Sequence, residues 1–115
     1  ALVKMLSPLC IREHSREENK DSYYSVASDN FEKKANKIIQ EQLIESGFDD
    51  ERVKGFSIKP LNSKKTVVFH YGNYIECSLG EFVLNGDKAI INYLLQSGIG
   101  SRKSAGFGLP ILVAE

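Results

Sequence analysis

Gly98-Ile99-Gly100-Ser101-Arg102-Lys103-Ser104-Ala105-Gly106-Phe107-Gly108 gathers four of the chain's nine glycines and an Arg-Lys pair into one short loop. Glycine tolerates positive φ and close backbone approach, so successive N–H groups can converge on an anion while Arg102 and Lys103 supply charge. What precedes the loop decides the fold. The phosphate loops of dinucleotide and nucleoside-triphosphate enzymes run strand, loop, helix and hold the phosphate at a helix N-terminus. Here Asp87 to Ser97 reads as a helix that comes before the loop, with Asp87 as N-cap, Ile90, Ile91, Leu94 and Leu95 on one face, and Gly98 as the stop. The spacings disagree as well: the dinucleotide pattern needs a glycine at Lys103 and the P-loop pattern one at Arg102. Because the helix dipole at that end repels anions, an anion here is held by Arg102, Lys103 and loop N–H groups, which suits an extended polyanion better than a buried nucleotide. A flexible glycine turn with two solvated cations is the alternative reading.

Outward from the loop, Leu109 to Ala114 is a final apolar strand, and Asn85-Gly86 is the turn into the helix. At the other end, Leu2 to Arg12 reads as a first strand broken at Ser7-Pro8, followed by a polar surface loop from Glu13 to Asp21. Asp29 and Glu32 form a capping-box pattern, and Phe31, Ala35, Ile38, Ile39 and Leu43 then recur at helical spacing until Gly47. Asp49-Asp50-Glu51 reads as a solvated acidic turn. The runs Val53 to Pro60 and Thr66 to Phe69 predict a hairpin about the polar turn Leu61 to Lys65. A second turn at Tyr71 to Asn73 introduces Tyr74 to Leu79, with Ile75, Cys77 and Leu79 alternating; Phe82 and Leu84 then change the parity, which predicts a bulge at Gly80. This order predicts an α+β ferredoxin-like (split βαβ) sandwich, an antiparallel sheet with two helices on one face and an added β-hairpin.

At 115 residues and 42% hydrophobic content the chain supports a single domain over 1–115. Fifteen basic residues balance fifteen acidic ones, so no global field attracts nucleic acid and any such affinity comes from local clusters. Acidic groups concentrate at Glu41, Glu45 and Asp49 to Glu51, whereas Lys54, Lys59, Lys64, Lys65, Arg102 and Lys103 occupy the later strands and loops. Two cysteines, Cys10 and Cys77, neither require nor exclude a disulfide; with no signal-peptide pattern and no apolar run of membrane-spanning length, the default is a cytoplasmic protein with free thiols and no membrane partner. The chain opens on Ala1-Leu2-Val3-Lys4-Met5-Leu6 without an initiator methionine, and is read as a fragment.

The glycine loop with its closing Gly106-Phe107-Gly108, together with Leu6-Ser7-Pro8-Leu9, Leu79-Gly80-Glu81-Phe82 before Asn85-Gly86, and the helix that feeds the loop, resembles the C-terminal domain of the CRISPR-associated repeat-RNA endoribonucleases of the repeat-associated mysterious protein superfamily. The resemblance covers nearly the whole chain. It implies two tandem ferredoxin-like domains, of which this is the C-terminal half, in a protein that cuts CRISPR repeat transcripts into guide RNAs without a metal ion or cofactor. A general base, typically a histidine of the N-terminal domain, takes the 2′-hydroxyl proton; no catalytic residue is therefore carried over to this chain. Gly98, Gly100, Ser101, Arg102, Lys103, Ser104, Gly106 and Gly108 are carried over as RNA-binding, and Lys64-Lys65, at the predicted hairpin tip, is added to them. The implied partners are CRISPR repeat RNA, the protein's own N-terminal domain and other CRISPR complex subunits. The alternative is a non-catalytic subunit that holds guide RNA inside an interference complex. A generic ferredoxin-like protein-interaction module is a third reading.

Other chemistry-bearing residues read more plainly. His14, in Arg12-Glu13-His14-Ser15-Arg16, is a solvent-exposed histidine, and His70 faces outward if Val67 and Phe69 face the core. Cys10, His14, His70 and Cys77 lack zinc-knuckle spacing, so no metal site is assigned. Tyr23-Tyr24 is read as edge or core packing, with base stacking as the alternative.

Overall fold

The computed structural model describes residues 1–115. In chain order the strands are β1 (Leu2–Met5), β2 (Ile11–Ser15), β3 (Lys20–Tyr24), β4 (Ser57–His70), β5 (Asn73–Asn85) and β6 (Pro110–Ala114), and the helices are α1 (Phe31–Glu45), α2 (Asp50–Lys54) and α3 (Lys88–Ser97). Apolar residues at helical spacing put Phe31, Ala35, Ile39 and Leu43 of α1, and Ile90 and Leu94 of α3, into one core with Val3, Met5, Ile58, Phe82 and Leu84 of the sheet. The sheet order is β4-β5-β1-β6 with every pair antiparallel. Since α1 connects β1 to β4 and α3 connects β5 to β6, this is the split βαβ arrangement of an α+β ferredoxin-like fold. A separate two-stranded ribbon, β2–β3, is inserted between β1 and α1. No helix is long and apolar enough to cross a membrane.

The ends of α3 follow its sequence. Asp87 accepts from Ile90 N–H at 2.9 Å, and Gly98 takes φ +90 at the C-terminus. In α1 the capping box does not form: the N-cap is Asn30, without a side-chain hydrogen bond. The acidic stretch at residue 49 is not a free turn, because Asp49 caps α2 by accepting from Arg52 N–H.

Three strand predictions are corrected. Leu2 to Arg12 is two strands in two sheets, because the chain turns at Ser7-Pro8 and leaves the main sheet. Within Glu13 to Asp21 only residues 16–19 form a turn; the rest is strand, with His14 paired to Asp21 and Glu13 to Ser22 across the β2–β3 ribbon. A ribbon with solvent on much of its surface needs no apolar alternation, so its residues look like those of a loop. The predicted hairpin at Leu61 to Lys65 is instead the middle of the 14-residue β4, whose true partner is β5 through the turn at Tyr71-Gly72. Pro60 is tolerated because β4 is an edge strand. Lys64 and Lys65 therefore stand mid-strand opposite Leu79 and Ser78.

The irregularity predicted at Gly80 lies on the facing strand. The ladder passes from Pro60↔Phe82 to Asn62↔Glu81, leaving Leu61 as the extra residue. The parity change on β5 has another cause: Ile75 and Cys77 pack with Cys10 and Phe107 in a second small cluster, while Phe82 and Leu84 enter the main core. Val67 and Phe69 are half exposed and belong to neither core.

Gly80 takes φ +106, and a Cβ there would lie 2.2 Å from the Asn62 carbonyl oxygen. Gly80→Ala is therefore expected to cost about 3 kcal/mol from strain and backbone displacement, lowering Tm by about 10 °C. A thermal melt followed by circular dichroism checks this, and an unchanged Tm would contradict the close approach of β4 to β5.

Candidate functional site

The glycine loop is held against the start of β2 by backbone contacts. Ser101 N–H donates to the Cys10 carbonyl at 2.8 Å, Arg12 N–H to Ser101 Oγ at 3.1 Å, and Gly108 N–H to the Pro8 carbonyl at 2.8 Å. Gln42 of α1 clamps the loop's entry, accepting from Gly100 N–H at 2.9 Å and donating to the Gly98 carbonyl at 3.1 Å. Two glycines make this approach possible. A Cβ on Gly100 (φ +87) would lie 2.6 Å from the Cys10 carbonyl oxygen, and one on Gly108 (φ +79) 2.0 Å from that of Ile99.

This anchoring changes the role expected for the loop's N–H groups. Those of Gly98, Ile99, Gly100, Ser101, Ala105, Gly106, Phe107 and Gly108 all donate to acceptors within the chain. Only Arg102, Lys103 and Ser104, at the outer bend where a single 3₁₀ turn spans Lys103–Ala105, keep unpaired N–H groups. The glycines thus chiefly let backbone touch backbone, and the bend presents cations.

Arg102 has φ +55, and its Nε and Nη2 donate to Tyr23 Oη at 3.0 and 2.7 Å. Asp21 lies 3.8 Å from its guanidinium and is itself bonded to His14 Nδ1 at 2.7 Å. The His14 contact, chiefly, holds the Asp21 carboxyl below its ordinary pKa. Tyr23 is consequently committed to orienting Arg102, and Tyr24 Oη donates to Glu13. Lys103 forms no ion pair; its ammonium stands 5.9 Å from the Tyr93 ring centroid.

Two clefts flank the bend. The larger, about 820 Å³, lies between the β2–β3 ribbon, α1 and the loop, where Arg12, Arg16, Lys37 and Lys103 face Glu13, Glu41 and Glu45. The smaller, about 530 Å³, lies between the loop and the β4–β5 turn; Arg12, Arg102 and Lys103 line it and no carboxylate does. Mixed charge in the first largely cancels, whereas the second has a single sign. Arg12 lines both clefts, forms no ion pair, and was not singled out by sequence because no spacing connects it to a loop ninety residues away. Gln42, 56 and 58 positions from the loop residues it bonds, was hidden in the same way.

The predicted site residues Gly98, Gly100, Ser101, Arg102, Lys103, Ser104, Gly106 and Gly108 lie in this one loop. Lys64 and Lys65 line neither cleft, and Lys65 is 3.5 Å from Glu76. Cys10 and Cys77 are free, buried and in one cluster with Phe107, against which the His70 ring packs, while His14 bonds Asp21; no group of three or more His, Cys, Asp and Glu is placed to hold a metal ion.

A family profile described as "CRISPR associated protein Cas6, C-terminal" matches residues 1–110. A comparison with curated proteins gives no match. Among solved structures, one titled for a Cas6-related gene from Pyrococcus furiosus is 25% identical with a TM-score of 0.78, covering 99% of this chain and 48% of that one. Another, titled as an RAMP protein binding different RNA substrates, is 25% identical with a TM-score of 0.77, covering 98% and 48%. A third, titled CRISPR associated protein Cas6, is 19% identical with a TM-score of 0.77 over 98% and 48%, and speaks for the fold alone. The chain spans about half the length of these proteins.

The two kinds of glycine in the loop separate experimentally. Gly106 (φ +94) has open space where its Cβ would go, so Gly106→Ala should cost about 1 kcal/mol of backbone strain, whereas Gly108→Ala, which also drives a Cβ into the Ile99 carbonyl, should cost about 3 kcal/mol or more. Equal losses in urea titrations would contradict the packing described. A second test concerns Glu13, which ties β2 to α1 through Lys34 (2.7 Å) and Lys37 (2.6 Å) and is held at about 2 by them. A depressed carboxylate stabilises the fold above its unfolded pKa and loses that contribution as pH falls through its folded value. The Tm gap between wild type and Glu13→Gln should thus be constant at neutral pH and close between about 4.5 and 2. A gap independent of pH would show that the ion pairs add nothing.

Proposed function

Because this chain belongs to the family of C-terminal domains of the CRISPR associated protein Cas6, we propose that it binds and positions a CRISPR repeat transcript for metal-independent cleavage, within a protein whose N-terminal half supplies the general base. The observation that carries this reading is the convergence of Arg12, Arg102 and Lys103 on a cleft without a carboxylate, in a chain whose fifteen acidic and fifteen basic residues otherwise balance. Affinity for RNA in a neutral protein needs such a local cluster. The description of a 25% identical protein of the same fold as binding different RNA substrates supports the same ligand class.

Each residue has a task in this reading. Arg12, Arg102 and Lys103 contact phosphates, with Ser101 and Ser104 offering hydroxyls beside them. Tyr23, Asp21 and Gln42 act through others: Tyr23 and Asp21 set the direction of Arg102, and Gln42 fixes the loop on α1. Gly98, Gly100, Gly106 and Gly108 give the bend its course. Lys64, exposed on the edge strand, and its neighbour Lys65 offer further charge to flanking RNA. In the cleavage itself, a base removes the 2′-hydroxyl proton, the oxygen attacks the adjacent phosphorus, a nearby cation stabilises the crowded phosphorane, and the P–O5′ bond then breaks as the departing 5′ oxygen takes up a proton, leaving a 2′,3′-cyclic phosphate. Holding the scissile phosphate in line is this domain's share.

Replacing Arg102 and Lys103 together by alanine should weaken binding to single-stranded repeat RNA and reduce the salt slope of log K by about 1 to 2 units. Unchanged affinity and slope would point to another face. A labelled repeat transcript incubated with chelator should be cut by a protein carrying both halves and bound without cleavage by this chain alone, since loss of a general base typically costs about 10² to 10⁴-fold. Chelator-resistant cleavage by this chain, abolished by His14→Ala or His70→Ala, would contradict the assignment of the base to the other half. A Mg²⁺ requirement in the two-half protein would contradict the metal-independent route.

A further inference from the structure

The β4–β5 turn holds a residue that local chemistry does not call for. Tyr71 and Gly72 are its two central residues, with φ +50 and +78, the pattern of a two-residue hairpin turn whose first position favours Asn, Asp or Gly. A bulky aromatic there is strained, and burial does not repay it, because Tyr71 is 87% exposed. An outlier of this kind points to a function at the position.

Its surroundings give that function a chemistry. Tyr71 lies beside His70, ring centroids 4.2 Å apart, and the His70 ring meets Phe107 edge-on at 5.7 Å. His70 Nε2 has no hydrogen-bond partner in the chain, so the ring is fixed by packing. These two rings form one wall of the smaller cleft, and Arg12, Arg102, Lys103 and Ser104 line the rest. At about 530 Å³ the cleft has room for one nucleotide. Aromatic rings and cations lining one cleft are the combination that accepts an unpaired base on a π-face and its phosphate on the charges. A paired base offers no free face to stack.

We infer that the cleft between Tyr71 and the glycine loop is a binding site for one unpaired nucleotide of the RNA strand, its base stacked on Tyr71 and its phosphate held by Arg12, Arg102 and Lys103. The site rests on the RNA-binding role proposed above and adds a stacking residue to it. It also selects single-stranded over paired RNA at this point of the surface.

The test uses this chain and a single-stranded RNA of about a dozen nucleotides in which one fluorescent 2-aminopurine is moved from position to position. With wild type, binding should quench the probe at one position far more than at the others. Tyr71→Ala should remove that quenching and weaken binding about tenfold, whereas Tyr71→Phe should retain both. Ala105→Glu, which places a carboxylate at the cleft's mouth without touching the ring, should weaken binding as well. Unchanged quenching and affinity in Tyr71→Ala, with wild type binding RNA normally, would overturn the nucleotide site and leave the RNA-binding role standing. Failure of wild type to bind at low salt would overturn both. Equal affinity of Tyr71→Ala and wild type for a fully paired RNA, beside a loss for the single strand, would confirm the selectivity.

Discussion

Everything near the proposed interface depends on how closely the loop at residues 98–108 lies against the chain between Pro8 and Arg12. Three hydrogen bonds tie it to that segment, Ser101 to Cys10, Arg12 to Ser101 and Gly108 to Pro8; Gln42 of α1 adds two on Gly98 and Gly100, and Ile99 to Gly108 closes the loop on itself. Carbonyl oxygens sit where a side chain's first carbon would have to go at Gly100 and Gly108, so no other residue permits this approach without displacement. The consequence is electrostatic. By joining the last loop to the second strand, the fold brings Arg102 and Lys103 beside Arg12, a residue from the opposite end of the sequence.

That assembly works against an even charge balance. The larger cleft mixes signs, and several of the chain's cations are spent internally: Lys34 and Lys37 on Glu13, Arg52 on Asp87, Lys65 on Glu76. Arg12 and Lys103 remain without ion pairs, and Arg102 is directed by a neutral hydroxyl with Asp21 at a longer 3.8 Å. The field that results is local and short-ranged, screened over about 8 to 10 Å at ordinary salt. Such a field suits a ligand that brings its own array of charges into contact, as a nucleic-acid backbone does.

Elements with strong local signals were legible in the sequence. Asp87 and Gly98 bracket α3 because a cap and a positive-φ stop are written in single residues, and α1 shows its buried face at helical spacing. The polar β2–β3 ribbon was not legible, because pairing with one neighbour in solvent demands no alternation. Nor was the continuity of β4: Pro60 and the Leu61 bulge look like a turn, and only the facing β5 shows that the strand runs on. The loop was recognisable by its glycines and charge, but its partners Arg12, Tyr23 and Gln42 lie some sixty to ninety positions away and carry no local mark. The backbone cradle expected across the whole loop is narrowed to the N–H groups of Arg102, Lys103 and Ser104 for a related reason, since the acceptors that consume the others come from distant segments and from the loop's own turns.

The central claim is that this loop face, and not the sheet, is where RNA is held. Titrating an isotope-labelled sample of the chain with single-stranded RNA while following backbone amide shifts by NMR tests it directly. The account predicts that the largest shifts fall on Arg12, Arg102, Lys103, Ser104 and Tyr71, with smaller ones at Lys64 and Lys65, where flanking RNA passes. Shifts concentrated along β4, or none at low salt, would contradict it.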